Sequence, residues 1–311
     1  MKRRDFFKSA AIVGLASFFK TNAFGSVISG KSMAVHSEPD LVAVMGGEPE
    51  AMLVRALNEF GGIKTFVKKG QKVVIKPNIG WDRKPELAAN TNPNLISALV
   101  KLCKSAGASE VVVFDHTCQD WKKCYTNSGI EKAVTEAGGK MVPANDESYY
   151  REAEFPRGVN LKKAKVHQSL LDCDVWFNVP ILKNHGGAKN SISMKNLMGI
   201  VWDRGFFHSH DLHQCIADAA TFHKKPALNI VDAYRIMKSN GPQGKSETDV
   251  VKLKSLIVSS DFVAADTASM KLFSQVQPTD INDVRHIGLA EKAHVGTMNL
   301  EKLNVKRIKM N

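Results

Sequence analysis

The chain has 311 residues, enough for one large domain or two modest ones, and it contains neither an internal repeat nor a low-complexity linker. It carries 43 Lys and Arg against 31 Asp and Glu, a formal net charge of +12 at pH 7. This excess favours a small anionic partner or substrate, although lysines spread over the surface for solubility would give the same composition. No nucleic-acid-binding motif is present, so we expect no nucleic-acid partner.

The first 25 residues have the pattern of an export signal. Arg3 and Arg4 precede Asp-Phe-Phe-Lys, and an apolar segment at residues 10–19 and small residues at 23–25 follow. This resembles a twin-arginine signal, which implies the twin-arginine export machinery as a partner and a periplasmic or otherwise extracytoplasmic location. An amphipathic membrane anchor is the alternative. The apolar segment is shorter than the roughly 20 residues that span a bilayer, so we expect no stable transmembrane segment in the mature protein.

Short β-rich segments alternate with helical patterns along the rest of the chain. The predicted strands cover residues 41–45, 72–75, 110–114, 140–142, 174–179, 227–231, 255–258 and 302–308. The predicted helices cover residues 50–60, 93–106, 129–137, 209–223, 263–273 and 282–293. This alternation predicts an α/β fold with a mainly parallel sheet and helices on both faces, in Rossmann-like layering. We expect one α/β domain over residues 40–311, with two lobes near 40–150 and 151–311 as the alternative.

Residues 178–215 are too polar and basic for a buried connector, with four histidines, three lysines and four asparagines. An apolar run ends at Leu182, Gly186 and Gly187 follow, and we predict a helix over residues 189–201. On that helix, Met194 and Leu197 would face the sheet, while Lys189 and Asn196 would lie on the opposite side. A strand, a glycine turn and a helix N-terminus together make a favourable site for an anion.

Polar residues also follow other predicted strands, and the carboxyl ends of parallel strands are where α/β folds bind ligands. Taken singly, such residues are often helix caps or solvated lysines. Several at the same edge predict a cleft formed by distant segments. The residues that we predict to act in catalysis are Lys183, His185 and Lys195. Those that we predict to bind the ligand are Lys76, Asn78, Asp115, Lys189, Asn196 and Asp232.

These motifs occur in the order found in a known family. In chain order they are residues 73–78, Thr91-x-Pro93, Gly107-Ala108, the central set of Lys183-x-His185, Lys189, Ser193 and Lys195-Asn196-x-x-Gly199, and then Asp232, Gly241-Pro242-x-x-Gly244 and Ser260-Asp261-x-Val263-Ala264-x-Asp266. Over residues 40–275 the chain resembles the domain of unknown function 362 family. The resemblance implies little chemistry. Many members carry an appended ferredoxin-like cysteine cluster that this chain lacks.

Three closely spaced histidines are candidate metal ligands. We expect Ser209 to cap a helix that carries His210 and His213 one turn apart, with His208 just before it. Such a set suits a divalent transition metal. Surface histidines beside a basic anion pocket are the alternative, because the neighbouring lysines would repel a bare cation.

The five cysteines have no C-x-x-C spacing, so we expect no iron–sulfur cluster. Cys118 and Cys124 are candidates for a small disulfide, and Cys103 is predicted to be a buried apolar residue. Phosphate-loop, dinucleotide-loop, nucleophile-elbow and zinc-protease motifs are all missing from the sequence.

Three functions therefore remain open. The first is an exported enzyme that binds an anion in a basic cleft, with metal-assisted or redox-linked chemistry. The second is a non-catalytic periplasmic ligand-binding or cofactor-maturation accessory protein. The third is a redox partner that works through cysteine, which the missing cluster makes less favourable.

Overall fold

The structure is a computed structural model that describes residues 38–311. The predicted export signal lies outside the described residues. The strands are β1 (Leu41–Met45), β2 (Lys72–Pro77), β3 (Glu110–Val113), β4 (Lys140–Met141), β5 (Tyr150–Glu154), β6 (Lys163–His167), β7 (Val175–Val179), β8 (Ile181–His185), β9 (Lys189–Ser191), β10 (Leu228–Met237), β11 (Val250–Ser259) and β12 (Val305–Lys309).

The α-helices are α1 (Pro49–Glu59), α2 (Ile63–Phe66), α3 (Pro93–Ser105), α4 (Trp121–Asn127), α5 (Ile130–Glu136), α6 (Gln168–Asp172), α7 (Ser193–Asn196), α8 (Gly205–Ser209), α9 (Leu212–Ala219), α10 (Phe262–Phe273) and α11 (His286–Lys292). Short 3₁₀ helices cover Pro85–Leu87, Glu147–Tyr149, Leu197–Ile200, Glu247–Asp249, Ile281–Asp283 and Leu300–Lys302.

Within residues 38–311, one ten-stranded sheet has the order β12-β1-β11-β10-β7-β2-β3-β4, with β8 paired to β10 and β9 paired to β8. The run from β10 through β7, β2 and β3 to β4 is parallel, whereas β11 is antiparallel to both of its neighbours. Strands β5 and β6 form a separate antiparallel pair. The predicted α/β fold with a mostly parallel sheet is confirmed.

The sheet has a hydrophobic core on each face, as the period of two in a strand requires. In β1, Leu41 and Ala43 belong to the core that includes α10, while Val42 and Val44 belong to the core that includes α1 and α3. Helices therefore cover both faces, in agreement with the predicted layering. No helix of the described part of the chain is long and apolar enough to cross a membrane.

The predicted helix over residues 189–201 is wrong. Gly186 and Gly187 reverse the chain into a hairpin, in which β9 pairs antiparallel with β8 and Lys189 lies opposite His185. Lys189 has a φ of 62°, and a helix begins only at Ser193 and gives way to a 3₁₀ turn at Leu197. The two glycines therefore belong to a β-hairpin turn and do not start a helix.

Two smaller predictions about helix and strand ends also fail. Asp232 lies inside β10, which continues to Met237, so this residue does not end its strand. The cap of α9 is Asp211, whose side chain accepts hydrogen bonds from the backbone N–H groups of His213 and Gln214, and not Ser209. Carboxylate caps of this kind are among the strongest helix-starting signals.

Candidate functional site

A cavity of about 380 Å³ lies where β2, β3 and β8 end, and α7 and α8 close its side. Among the described residues that line it, the only acidic one is Asp115. The basic lining residues are Lys76, Lys183, Lys195, Arg204, His116, His185 and His208. Asn78 and Asn196 also line it, so most of the side chains predicted to form one cleft are brought together.

Lys76 and Asp115 form a buried ion pair at one side of the pocket. Lys76 Nζ lies 2.7 Å from Asp115 Oδ1, and the two residues are 0 % and 3 % exposed. Lys76 Nζ also donates to Asn196 Oδ1 at 2.9 Å and to the Pro77 carbonyl at 2.7 Å. Asp115 Oδ2 accepts from the Ile79 N–H at 2.6 Å. Burial lowers the pKa of Lys76, while the Asp115 carboxylate acts in the opposite direction.

A chain of buried asparagines continues this cluster into the sheet. Asn196 Nδ2 donates to Asn178 Oδ1 at 2.9 Å, and Asn178 Nδ2 donates to Asn229 Oδ1 at 2.8 Å. Asn178 and Asn229 lie directly opposite each other on β7 and β10. The sequence predictions missed both residues. The signal was available, because an asparagine in an otherwise apolar buried strand needs hydrogen-bond partners.

Helix α7 carries both Lys195 and Asn196, and it is held by a carboxylate from the core. Asp266 accepts hydrogen bonds from the N–H groups of Ser193 at 2.8 Å and Met194 at 3.2 Å, at the start of the helix. Burial raises the pKa of Asp266 to about 7, against the effect of these two bonds. Asp266 was part of the family motif, but no role in positioning α7 was predicted for it.

Gly199 lets the backbone pass directly beside the ion pair. A Cβ atom at this position would lie 1.9 Å from Asp115 Oδ1 and 2.6 Å from Lys76 Nζ. The Gly199 carbonyl accepts a hydrogen bond from the His116 N–H at 3.2 Å. The glycine of the Lys195-Asn196-x-x-Gly199 motif is therefore required by close approach to the site.

Lys183 extends from β8 into the pocket and is 1 % exposed. Its Nζ donates to Asn78 Oδ1 at 3.0 Å and to the Ala89 carbonyl, both of which are neutral acceptors. Burial, together with the positive charge of Lys195, lowers the pKa of Lys183 to about 7. The amine can therefore be either charged or neutral near neutral pH.

Lys195 is partly buried, and no residue in the described part of the chain forms a hydrogen bond or an ion pair with its ammonium group. Burial lowers the pKa of Lys195 to about 8, and the positive charges of Arg204 and Lys76 act in the same direction. A lysine that lines a pocket without a partner is unusual, because a buried charge normally requires compensation.

His185 is a neutral ring at the same wall. Burial, with the charges of Lys195 and Lys183, lowers its pKa to about 3. Its Nδ1 accepts from the Ala188 N–H at 3.2 Å, which places the ring proton on Nε2. His185 can therefore donate a neutral N–H to a ligand, although it cannot be a charged acid at neutral pH.

Arg204 is fixed at the opening by backbone acceptors. Its guanidinium donates to the carbonyls of His116 at 2.9 Å and Thr117 at 2.7 Å, and to Cys118 Sγ at 3.1 Å. The His116 ring stacks on Trp202 with centroids 5.0 Å apart. The sequence predictions missed Arg204, since nothing in its spacing distinguishes it from a surface arginine.

Two predicted ligand-binding residues do not line the pocket. Asp232 accepts from the N–H groups of Asn92 at 2.8 Å and Tyr234 at 3.0 Å, and it therefore fixes the start of α3. Lys189 is exposed on β9, where it is the hairpin partner of His185.

The three histidines predicted to bind a metal have different surroundings. His208 lines the pocket, His210 is exposed and stacks on Phe206, and His213 is buried with its Nδ1 3.0 Å from the Nδ1 of His286. In residues 38–311 there is no group of three or more His, Cys, Asp or Glu side chains that could hold a metal ion. Metal binding by these histidines stays a prediction.

All five cysteines are free in the structure, so the candidate bond between Cys118 and Cys124 is not formed. Cys118 is exposed at the pocket, whereas Cys124 is buried. Cys103 is fully buried among apolar side chains, as predicted, and burial raises its pKa to about 12.

The fold and the pocket together define an α/β protein with a basic site at the carboxyl ends of its strands. The chain belongs to the family described as Domain of unknown function (DUF362), whose model matches residues 73–271. It is similar to the Thylakoid-associated protein sll1697 of Synechocystis sp., with 24 % identity over 229 residues, which cover 70 % of this chain and 68 % of that protein. The family prediction is therefore confirmed.

Proposed function

We propose that the protein binds a small anionic ligand in this pocket and uses Lys183 and Lys195 to hold and exchange protons with it. The observation that carries this proposal is that Lys195 has no partner among residues 38–311 and that the acceptors of Lys183 in the same range are neutral. One carboxylate, Asp115, lies among four lysine and arginine side chains, and it is already paired with Lys76.

A ligand carboxylate or phosphate supplies the missing charge. Charged groups held out of water are unfavourable unless an opposite charge compensates them, which is why the pKa of both lysines is lowered. An anion between them removes this penalty and accepts charge-assisted hydrogen bonds. Arg204 and the neutral N–H of His185 add further donors at the same wall.

The same groups support an enzyme more than a passive binding protein. Lysines with a pKa near 7 and 8 can give and take a proton at neutral pH, and general acid–base catalysis works best under that condition. A non-catalytic ligand-binding or cofactor-maturation protein would use the same charge arrangement without turnover, and so it remains the second candidate.

Binding is tested by titrating the protein calorimetrically with lactate, succinate and inorganic phosphate. We expect at least one to bind with uptake of protons near neutral pH. Lys183→Met should weaken that affinity about tenfold or more, since a charge-assisted contact contributes about 1.5–3 kcal/mol. Lys189→Met removes an exposed lysine outside the pocket and is the matched control. Equal losses in both variants, or no binding of any of the three anions, would contradict the proposal.

We also propose that the protein leaves the cytoplasm through the twin-arginine route, on the strength of Arg3, Arg4 and the segment that follows them. The cyanobacterial relative is thylakoid-associated by name. Changing both arginines to lysine should leave unprocessed protein in the cytoplasm when the fractions are compared by immunoblotting. Normal export of that variant would exclude the route.

A further inference from the structure

Lys195 combines a fixed backbone with a free side chain. Its helix α7 is held at the start by Asp266, through the N–H groups of Ser193 and Met194, and at the end by the side chain of Asn196, which is bonded to Lys76 and Asn178. The Lys195 ammonium itself contacts no acceptor among the described residues. A side chain with this arrangement can reach into the cavity without breaking any bond of the fold.

Its neighbours are suited to hold a carboxylate in a fixed position. Lys183 uses two of its three N–H groups for Asn78 and Ala89, so one donor is left for a ligand. Arg204 is held by two backbone carbonyls and keeps its positive charge at the opening. These two cations can bind the acid group of a ligand while Lys195 meets another part of it.

From this arrangement we propose that the ligand is a carboxylate that also carries a carbonyl group, such as a 2-oxo acid, and that the Lys195 amine forms an imine with its carbonyl carbon. The proposal rests on the proposed anion-binding function and names the ligand class within it. Lysine amines that are desolvated or lie near another cation are the ones that perform this chemistry.

The step needs no additional reactant. The nitrogen of neutral Lys195 forms a bond to the carbonyl carbon, and the C=O electron pair moves to oxygen, which takes a proton from the Lys183 ammonium. The cationic nitrogen returns one proton to the Lys183 amine, which gives the neutral carbinolamine. Its hydroxyl takes that proton and leaves as water while the nitrogen lone pair forms the C=N bond, and the iminium passes its remaining proton to Lys183, which is thereby restored to the ammonium. In total, the amine gives up two protons and the ligand gives up one oxygen atom, with no oxidation or reduction.

In the ligand-free pocket the pKa of Lys183, about 7, lies below that of Lys195, about 8, so the two roles are assigned by the contacts of the side chains and not by these pKa values. The pKa of Lys195 is lowered to about 8, so a useful fraction of the amine is neutral and nucleophilic at that pH. Lys183 is hydrogen-bonded to two acceptors, and a ligand carboxylate beside it stabilises its charged form, the form that donates the proton.

Reductive trapping tests the imine directly. The full chain is incubated at pH near 8 with pyruvate, 2-oxobutyrate, oxaloacetate or 2-oxoglutarate and then treated with sodium borohydride, and the adduct is located by intact mass and peptide mapping. We expect one saturable adduct at Lys195 with at least one of these acids. It should be absent in Lys195→Arg, which keeps the positive charge, and retained in Lys189→Arg, which changes an exposed lysine.

Binding of the carbonyl-free anion lactate separates this proposal from the broader one. If lactate binds to wild type and to Lys195→Arg but no oxo acid is trapped, the imine is excluded and anion binding stands. An adduct that maps to Cys118 or Lys183, or one spread over surface lysines, also overturns the assignment to Lys195. Failure of lactate, succinate, inorganic phosphate and the oxo acids alike to bind would overturn the proposed function itself.

Discussion

Lys76 and Lys195 lie in the same pocket, but their charges are balanced in different ways. Lys76 is fully buried, 2.7 Å from the Asp115 carboxylate, and further held by Asn196. No described residue pairs with Lys195. The two side chains are chemically identical, but the charge of Lys76 is compensated within the folded protein, whereas the charge of Lys195 is available to a ligand.

The largest effect should come from breaking the paired side. Asp115→Asn leaves Lys76 buried without a counter-ion, and breaking a buried pair from one side typically costs about 3–5 kcal/mol. We expect the free energy of unfolding in urea to fall by about that amount at neutral pH. The loss should shrink at alkaline pH, where Lys76 can give up its proton.

The matched control is the double variant Lys76→Met with Asp115→Leu, which removes both charges. Replacement of a whole buried ion pair by apolar residues is often neutral or stabilising, so the double variant should recover much of the stability lost in Asp115→Asn. A double variant as unstable as the single one would show that the pair is not the source of the effect.

Gly199→Ala should give the next largest effect, because the new Cβ would lie 1.9 Å from Asp115 Oδ1. Such overpacking typically costs about 1–3 kcal/mol and should also displace Lys76. Gly288→Ala is the control, since nothing lies within 4 Å of a Cβ at that helical position, and alanine there should be neutral or stabilising. Equal unfolding midpoints for the two variants would contradict the close approach.

The pH dependence of stability tests the pocket lysines that have no carboxylate partner, of which Lys183 has the lower pKa. The folded-state pKa of Lys183, about 7, lies below its ordinary value of 10.5, so the unfolded chain binds more protons between these values. The free energy of unfolding of the ligand-free protein should therefore rise as pH increases above about 7. Over the same range the affinity for lactate should fall, because the lysines lose their charge.

Lys183→Met should reduce the rise in stability between pH 7 and 8, since it removes the lysine with the lowest of these pKa values, while Lys195 and Lys225, with a pKa of about 8, maintain a rise above that pH. Lys189→Met should leave the profile unchanged. Both profiles can be measured by denaturation in urea at a series of pH values. A wild-type profile that is flat above pH 7 would mean that Lys183 keeps an ordinary pKa in the folded protein.

The smallest effect is expected at His210, which is exposed and stacks on Phe206. His210→Ala should change stability by no more than about 0.5 kcal/mol and leave anion affinity within twofold. Metal content of untagged protein, measured for wild type and for this variant, tests the predicted metal site in the same experiment. Loss of a bound transition metal together with activity in His210→Ala would show that the histidine cluster, and not the basic pocket, carries the function.

Much of the fold was predictable because buried strands such as β2, β3 and β7 are short apolar runs between helical patterns. Strands β5, β6, β8 and β9 were missed, because exposed or polar strands lack such a run. Gly186 and Gly187 are compatible with either a helix start or a hairpin. The alternation of the sequence shows where strands occur, but it does not show which strand pairs with which.

The pocket was predictable in part for a related reason. Lys76, Asp115 and Lys183 stand at or just after strands whose ends meet at one edge, so the strand-end rule finds them. Lys195 was predicted instead from the polar segment that follows Gly186 and Gly187. The same rule assigned Asp232 to the site, because the continuation of β10 to Met237 is not evident from its pattern. Partners such as Asp266 and Arg204 depend on packing between distant segments, which the local sequence does not encode.

The contacts of the pocket join parts of the chain that are far apart in sequence: Lys76 bonds Asn196 across 120 positions, and Lys183 bonds Asn78 across 105. Closing such long loops is entropically costly and is completed only as the sheet assembles. We therefore expect the pocket to be among the last parts to form during folding. Ligand binding requires the assembled sheet, so an anion that binds in the pocket binds only the fully folded protein. Such binding should stabilise the folded state against unfolding.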